Sequence, residues 1–198
     1  MLEQGDEVLA DLTFYGCTFS FLNHGLTRFG VTVRHVDMTD PANVAQAMGP
    51  KTRVLYLESP ANPNMRLVDI AAVSAIAHAG GARVVVDNTY CTPYQQQQPL
   101  LLGADVSVHS MTKYLGGHGD LMAGAAIFAD AELALRSRAF TAARHSPLAV
   151  PAKRLRRAAR SCRCKVLAFA RKDVPIAPRW RARIHCAQSA RWMSWRQC

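Results

Sequence analysis

Through its first 130 residues the chain alternates between two apolar periods. Short β-branched runs at 8–10, 31–37 and 53–58 have strand length, and the segments between them repeat apolar residues at helical spacing. Phe19, Leu22, Leu26 and Phe29 mark a helix over about 18–29, with Thr18 as its N-cap and Gly30 as its stop. Asp40 followed by Pro41 opens a short helix to about Met48, because proline suits the first helical position. Asp69 caps an alanine-rich helix to His78, closed by Gly80 and Gly81. Two further apolar runs, 83–90 and 105–114, each end in polar residues, and 122–129 is another strand. Strands alternating with helices predict right-handed βαβ units: an α/β fold with a mostly parallel sheet and helices on both faces. Between Glu58 and Asn64, Pro60 and Pro63 exclude a regular element.

The polar ends of the last two long runs are where chemistry is expected, since a buried parallel strand presents functional groups at its carboxyl edge. Asp87 and Lys113 stand there. Either charge is costly without compensation. Each also has a plain structural reading, a carboxylate bonded to loop amides and a lysine whose stem packs while its head reaches water. Taken together, with the hydroxyls of Ser110 and Thr112 beside the lysine, they match the needs of a phosphorylated aldehyde cofactor. The amine would form a Schiff base, the carboxylate would keep a pyridine nitrogen protonated, and the hydroxyls would bind phosphate. His109 and His118 have no partner at ligand spacing and read as strand and loop packing, so no metal site is predicted.

Composition changes this picture mainly at the carboxyl-terminal side. With 198 residues, 49% of them apolar, the chain can build one sizeable domain or part of a larger one. It has no apolar stretch of membrane-spanning length and no signal-type amino terminus, so a cytoplasmic protein without membrane contact is expected. The net charge of +10 is unevenly divided. Residues 1–135 hold 7 Lys+Arg against 13 Asp+Glu, a balance of −6, whereas 136–198 hold 17 against the single Asp173, a balance of +16. The division is therefore into 1–137 and a basic tail, 138–198, rich in Arg, Cys and Trp. No helix face organises the tail's charges into a nucleic-acid arm, and Cys162, Cys164, His185 and Cys186 lack the usual zinc spacing. The abrupt swing in charge suggests a disordered tail or out-of-frame translation of a GC-rich coding sequence.

Four stretches carry a resemblance: 15–19, 58–65, 86–94 and 109–120. Together they resemble the Cys/Met metabolism family of pyridoxal 5′-phosphate-dependent enzymes, which covers about residues 3–135. Residues 1–137 would then be part of a cofactor-binding domain like the large domain of fold-type I enzymes such as aspartate aminotransferase. The resemblance implies that Lys113 anchors the cofactor and moves protons, that Asp87 pairs with its ring nitrogen, and that Ser110 and Thr112 bind its phosphate. Asn62 would contact the ring hydroxyl, and Tyr15 would stack on the ring and assist thiol departure. Cys17, with Cys91 and Tyr94, points to the branch that performs γ-elimination on methionine, releasing methanethiol, 2-oxobutanoate and ammonia. Cystathionine γ-lyases, cystathionine γ-synthases and homoserine sulfhydrylases share the other motifs, and a fragment that binds cofactor without turnover is a further alternative. The expected partners are a sulfur amino acid and further copies of the chain as a homo-oligomer. Family members also carry a glycine loop and a donated Tyr and Arg before this region, and a substrate-clamping arginine after it. The expectation is a chain truncated at both ends.

Overall fold

The computed structural model describes residues 1–92, 97–120, 122–142 and 165–170. It divides into two compact units, 1–109 and 110–198. In the first unit, strands β1 (Glu7–Asp11), β2 (Thr32–Val36), β3 (Thr52–Glu58), β4 (Arg83–Asp87) and β5 (Val106–Ser110, whose last residue belongs to the second unit) lie in the order β2-β1-β3-β4-β5. All of these pairs are parallel. The expected α/β fold with a mostly parallel sheet is what the chain forms.

The strands are apolar in both directions because both faces are covered. Leu9, Leu55, Leu57, Val84 and Val86 pack beneath α2 (Pro41–Ala47) and α3 (Ile70–Ala79), which contribute Val44, Ile70, Val73 and Ala77. On the opposite face, Val8, Val54 and Ala10 meet Val31, Phe14, Leu22 and Leu26. The caps of α2 and α3 are the expected ones: the Asp40 carboxylate accepts from the Ala42 amide and Asp69 from Ala72. Gly30 and Gly81 take the positive φ values that end their helices, +76° in each case.

The helix expected over 18–29 begins earlier and is not uniform. It starts as α1 (Gly16–Ser20), widens to a π turn at Phe21–Gly25 and tightens to a 3-10 turn at Leu26–Phe29. Tyr15, not Thr18, occupies its N-cap, with no side-chain capping bond. Thr18 instead acts on the Tyr56 phenol, opposing the rise of its pKa.

In the second unit a π turn at Met111–Leu115 leads to β6 (Ala123–Phe128), α4 (Ala131–Ala142) and β7 (Lys165–Ala170). Strand β7 pairs antiparallel with β6, Ala123 opposite Ala170 and Phe128 opposite Lys165. Neither α4 nor β7 follows from the apolar period. Asp130 caps α4, its carboxylate accepting from the amides of Glu132 and Leu133 at 3.0 and 3.2 Å. Apart from 138–142 and 165–170, the basic tail with Cys162, Cys164, His185, Cys186 and the three tryptophans lies outside the described residues, as does Tyr94.

Candidate active site

At the carboxyl edge of the first unit, β3 and β4 run inward as apolar strands and end in Glu58 and Asp87. These two acids are register partners, so their side chains leave the same face of the sheet. Asp87 is half-buried. Its Oδ1 accepts from the Thr89 amide at 3.0 Å and the Thr89 hydroxyl at 2.5 Å. Its Oδ2 accepts from the Tyr56 hydroxyl at 3.4 Å. Bonding to its own loop thus satisfies one carboxylate oxygen and leaves room for a further donor at the other.

Glu58 is only 3% exposed. Its Oε2 accepts from the Tyr15 amide at 2.7 Å, and the Asn62 amide hydrogen-bonds to the same carboxyl. Burial pushes its pKa up to about 7; the Tyr15 and Asn62 amides oppose the shift, while the Asp87 charge reinforces it. Tyr56, half-buried on the same strand, has its phenol raised well above the ordinary range, by desolvation first and by Asp87 second. His109 on β5 is buried, with Nε2 at 3.2 Å from the Ser107 hydroxyl, and no described residue partners its Nδ1. Burial lowers its pKa, as the packing reading requires, although the Asp87 charge acts the other way.

Tyr15 is 45% exposed. The Cys17 sulfur lies 3.4 Å from its phenolic oxygen, and pairing with this second ionisable group, whose thiolate would repel a phenolate, raises the phenol's pKa. Asn62 has an exposed side chain in the loop that contains the cis bonds Ser59–Pro60 and Asn62–Pro63. Four of the expected residues therefore gather at one edge. Tyr15, with Cys17 attached, and Asn62 share Glu58 as acceptor, and Asp87 stands beside Glu58 in register.

The other three belong to the second unit and are arranged by its own turn. Ser110 ends β5 and occupies the N-cap of the π turn. Lys113 was expected at a strand end; it lies three residues beyond, exposed within the turn, with φ −93° and ψ −128°. The sheet ladder stops at Ser110 because the next residues take helical turns, and the ammonium reaches water without crossing the core. The Thr112 hydroxyl accepts from the Ala123 amide at 3.1 Å and donates to the Ala123 carbonyl at 3.3 Å, clasping the turn to β6. Gly117 and Gly119 follow at φ +72° and +70°.

Glu58 and Tyr56 received no role from the sequence pattern. The signal was present for Glu58, an acid closing an apolar strand as Asp87 does, but its proline-rich sequel drew attention to the turn. Among the described residues, no three His, Cys, Asp or Glu side chains come together as a metal site.

Comparison with known proteins adds the following. The family model described as Cys/Met metabolism PLP-dependent enzyme matches residues 1–152. The chain is 64% identical over 124 residues to the L-methionine gamma-lyase of Pseudomonas putida, covering 63% of this chain and 31% of that one. It is 62% identical over 126 residues to the L-methionine gamma-lyase of Treponema denticola, with 63% and 31% coverage. A solved structure, cystathionine gamma-lyase from Lactobacillus plantarum complexed with L-serine, is 41% identical with a TM-score of 0.60, over 62% of this chain and 32% of that one. The chain thus spans about a third of the length of the relatives it matches.

Proposed function

Since the chain belongs to the Cys/Met metabolism family of PLP-dependent enzymes, we propose that it serves carbon-sulfur bond cleavage by γ-elimination, with L-methionine as substrate and methanethiol, 2-oxobutanoate and ammonia as products. The family's cofactor is pyridoxal 5′-phosphate. One observation carries the fit of this chain to it: Asp87 closes a buried strand with one oxygen held by Thr89 and the other in a long, 3.4 Å contact with the Tyr56 hydroxyl that leaves room for a further donor. When bound, the cofactor supplies an aldehyde for covalent attachment and an electron-withdrawing ring.

Asp87 keeps a proton on the ring nitrogen, where a fixed carboxylate favours the charged form. Lys113 Nζ, exposed on its turn, would be the covalent anchor of the cofactor and the base that carries protons between substrate carbons. Ser110 and Thr112 bind the phosphate; for Thr112 this requires the hydroxyl to turn its proton away from the Ala123 carbonyl. Asn62 contacts the ring hydroxyl. Tyr15 stacks on the ring and gives a proton to the departing thiolate, and Cys17, bonded to its oxygen, biases the site toward methionine.

The relatives named L-methionine gamma-lyase support the choice of substrate. The likeness to a structure titled cystathionine gamma-lyase supports cystathionine as the second candidate. Cytoplasmic residence and assembly as a homo-oligomer complete the proposal. No helix among the described residues is long and apolar enough to cross a membrane.

Adding pyridoxal 5′-phosphate is expected to produce a visible absorption band that Lys113→Ala abolishes, and methionine is expected to release methanethiol. A band that survives Lys113→Ala overturns the anchor. A band without methanethiol, from methionine or any thioether amino acid, reduces the activity to cofactor capture.

A further inference from the structure

Glu58 is a buried acid at the carboxyl edge, and none of the roles above uses it. It is 3% exposed, and two backbone amides approach it from outside its own strand. The Tyr15 amide, at the residue that caps α1 and two positions before Cys17, donates to it at 2.7 Å. The Asn62 amide, in the loop that follows β3, is the second and weaker influence, lowering the carboxyl's pKa less than Tyr15 does. A single carboxyl thereby holds two backbone segments that share no ladder, each carrying a residue assigned to the cofactor or substrate.

We propose that Glu58 is the positioning residue of this site, a buried carboxyl whose ionised form clamps the Tyr15–Cys17 segment and the Asn62 loop onto the sheet edge and whose protonated form loosens both. The inference deepens the proposed function, and rests on it for the roles of Tyr15, Cys17 and Asn62. An ionised carboxylate accepts amide hydrogen bonds about twice as strongly as a neutral one, so gain of charge tightens both contacts together. The neighbours set where that charge appears. Asp87 faces Glu58 from β4 and disfavours a second negative charge. Tyr56 on the same strand holds its proton throughout. Tyr15 and Cys17 flank it from α1, and His109 on β5 is kept neutral by burial. Asp11, at the end of β1, turns to the opposite face, where its Oδ1 accepts from the Met38 amide. The balance puts the transition of Glu58 near neutrality, with the pKa at about 7.

The test uses the whole chain without cofactor, so that it can fail independently of cofactor binding. In a pH titration followed by amide NMR, the Tyr15 and Asn62 signals are expected to move together with one inflection near neutral pH, and Glu58→Gln to remove the inflection from both. At fixed alkaline pH, Glu58→Ala is expected to speed hydrogen exchange of the Tyr15 amide about tenfold, the scale on which one hydrogen bond governs a local opening. Glu58→Gln, a neutral acceptor like the protonated carboxyl, should fall between wild type and Glu58→Ala. A shared inflection that persists in Glu58→Gln, or Tyr15 amide exchange indifferent to Glu58→Ala, overturns the proposal. If both results hold while pyridoxal 5′-phosphate gives no visible band, the clamp stands and the cofactor reading falls.

Discussion

The buried Glu58 carboxyl carries a stability signature that its neighbours do not. Its folded pKa, about 7, exceeds the ordinary 4.5, so between those values the folded state holds a proton that the unfolded chain has released. Stability must then fall as pH rises from about 4.5 to about 7 and be flat above, for this group alone. Glu58→Gln cannot ionise and escapes that loss. Its stability relative to wild type is expected to improve between about pH 5 and about pH 8 by up to about 3 kcal/mol, measured by urea unfolding. An equal difference at both pH values contradicts the buried proton. Asp87 was legible in the sequence because an acid closing an apolar run is a local signal. The raised pKa of Glu58 was not, because it depends on Tyr15, Asn62 and Asp87, which arrive from other elements.

Among elements, the β4–β5 pair is secured at its entry by another acid. Asp105 accepts from the Val84 amide at 2.8 Å, from Arg83 at 2.6 Å and from His78 at 2.9 Å, tying α3 to the start of both strands. Burial alone would raise its pKa; the Val84 amide, His78 and Arg83 outweigh burial and lower it. A depressed carboxylate stabilises the fold above its unfolded pKa and loses that contribution as pH falls through the folded value. Asp105→Ala leaves the Val84 amide without its acceptor and is expected to cost about 2 kcal/mol, seen as a lower urea midpoint at unchanged slope. No change in midpoint would show that water replaces the carboxylate at no cost. Elements whose caps and periods agree, α2 and α3, were readable from sequence. The 16–29 segment was readable only as helix; its three kinds of turn arise where Leu22 and Leu26 must reach the sheet from one continuous backbone.

For the molecule as a whole, the proposed oligomer would bury apolar surface of the first unit. Phe21, Phe29, Leu67 and Leu101 are 57%, 63%, 66% and 74% exposed. Light scattering is expected to give at least twice the mass of one chain. A monomer across micromolar concentrations contradicts the assembly. Charge also divides the chain, with −6 over the first 135 residues and +16 over the rest. That swing was read from sequence alone, and most of the second part lies outside the described residues.

Through β6 the sequence by itself determined the order of strands and helices and the mostly parallel α/β fold, because periodicity and caps record which way each side chain must face. Four short motifs in order also pointed to the family that the family match then showed. Tertiary structure decided which groups are neighbours. Parallel register sets Glu58 beside Asp87, and the crossing of α1 over the sheet brings the Tyr15 amide to a carboxyl 43 positions away. It also ended β5 at Ser110, so that Lys113 lies on a turn in water. Burial direction is written locally, but register and the desolvation of a carboxyl are properties of packed pairs, and no single stretch of chain contains them.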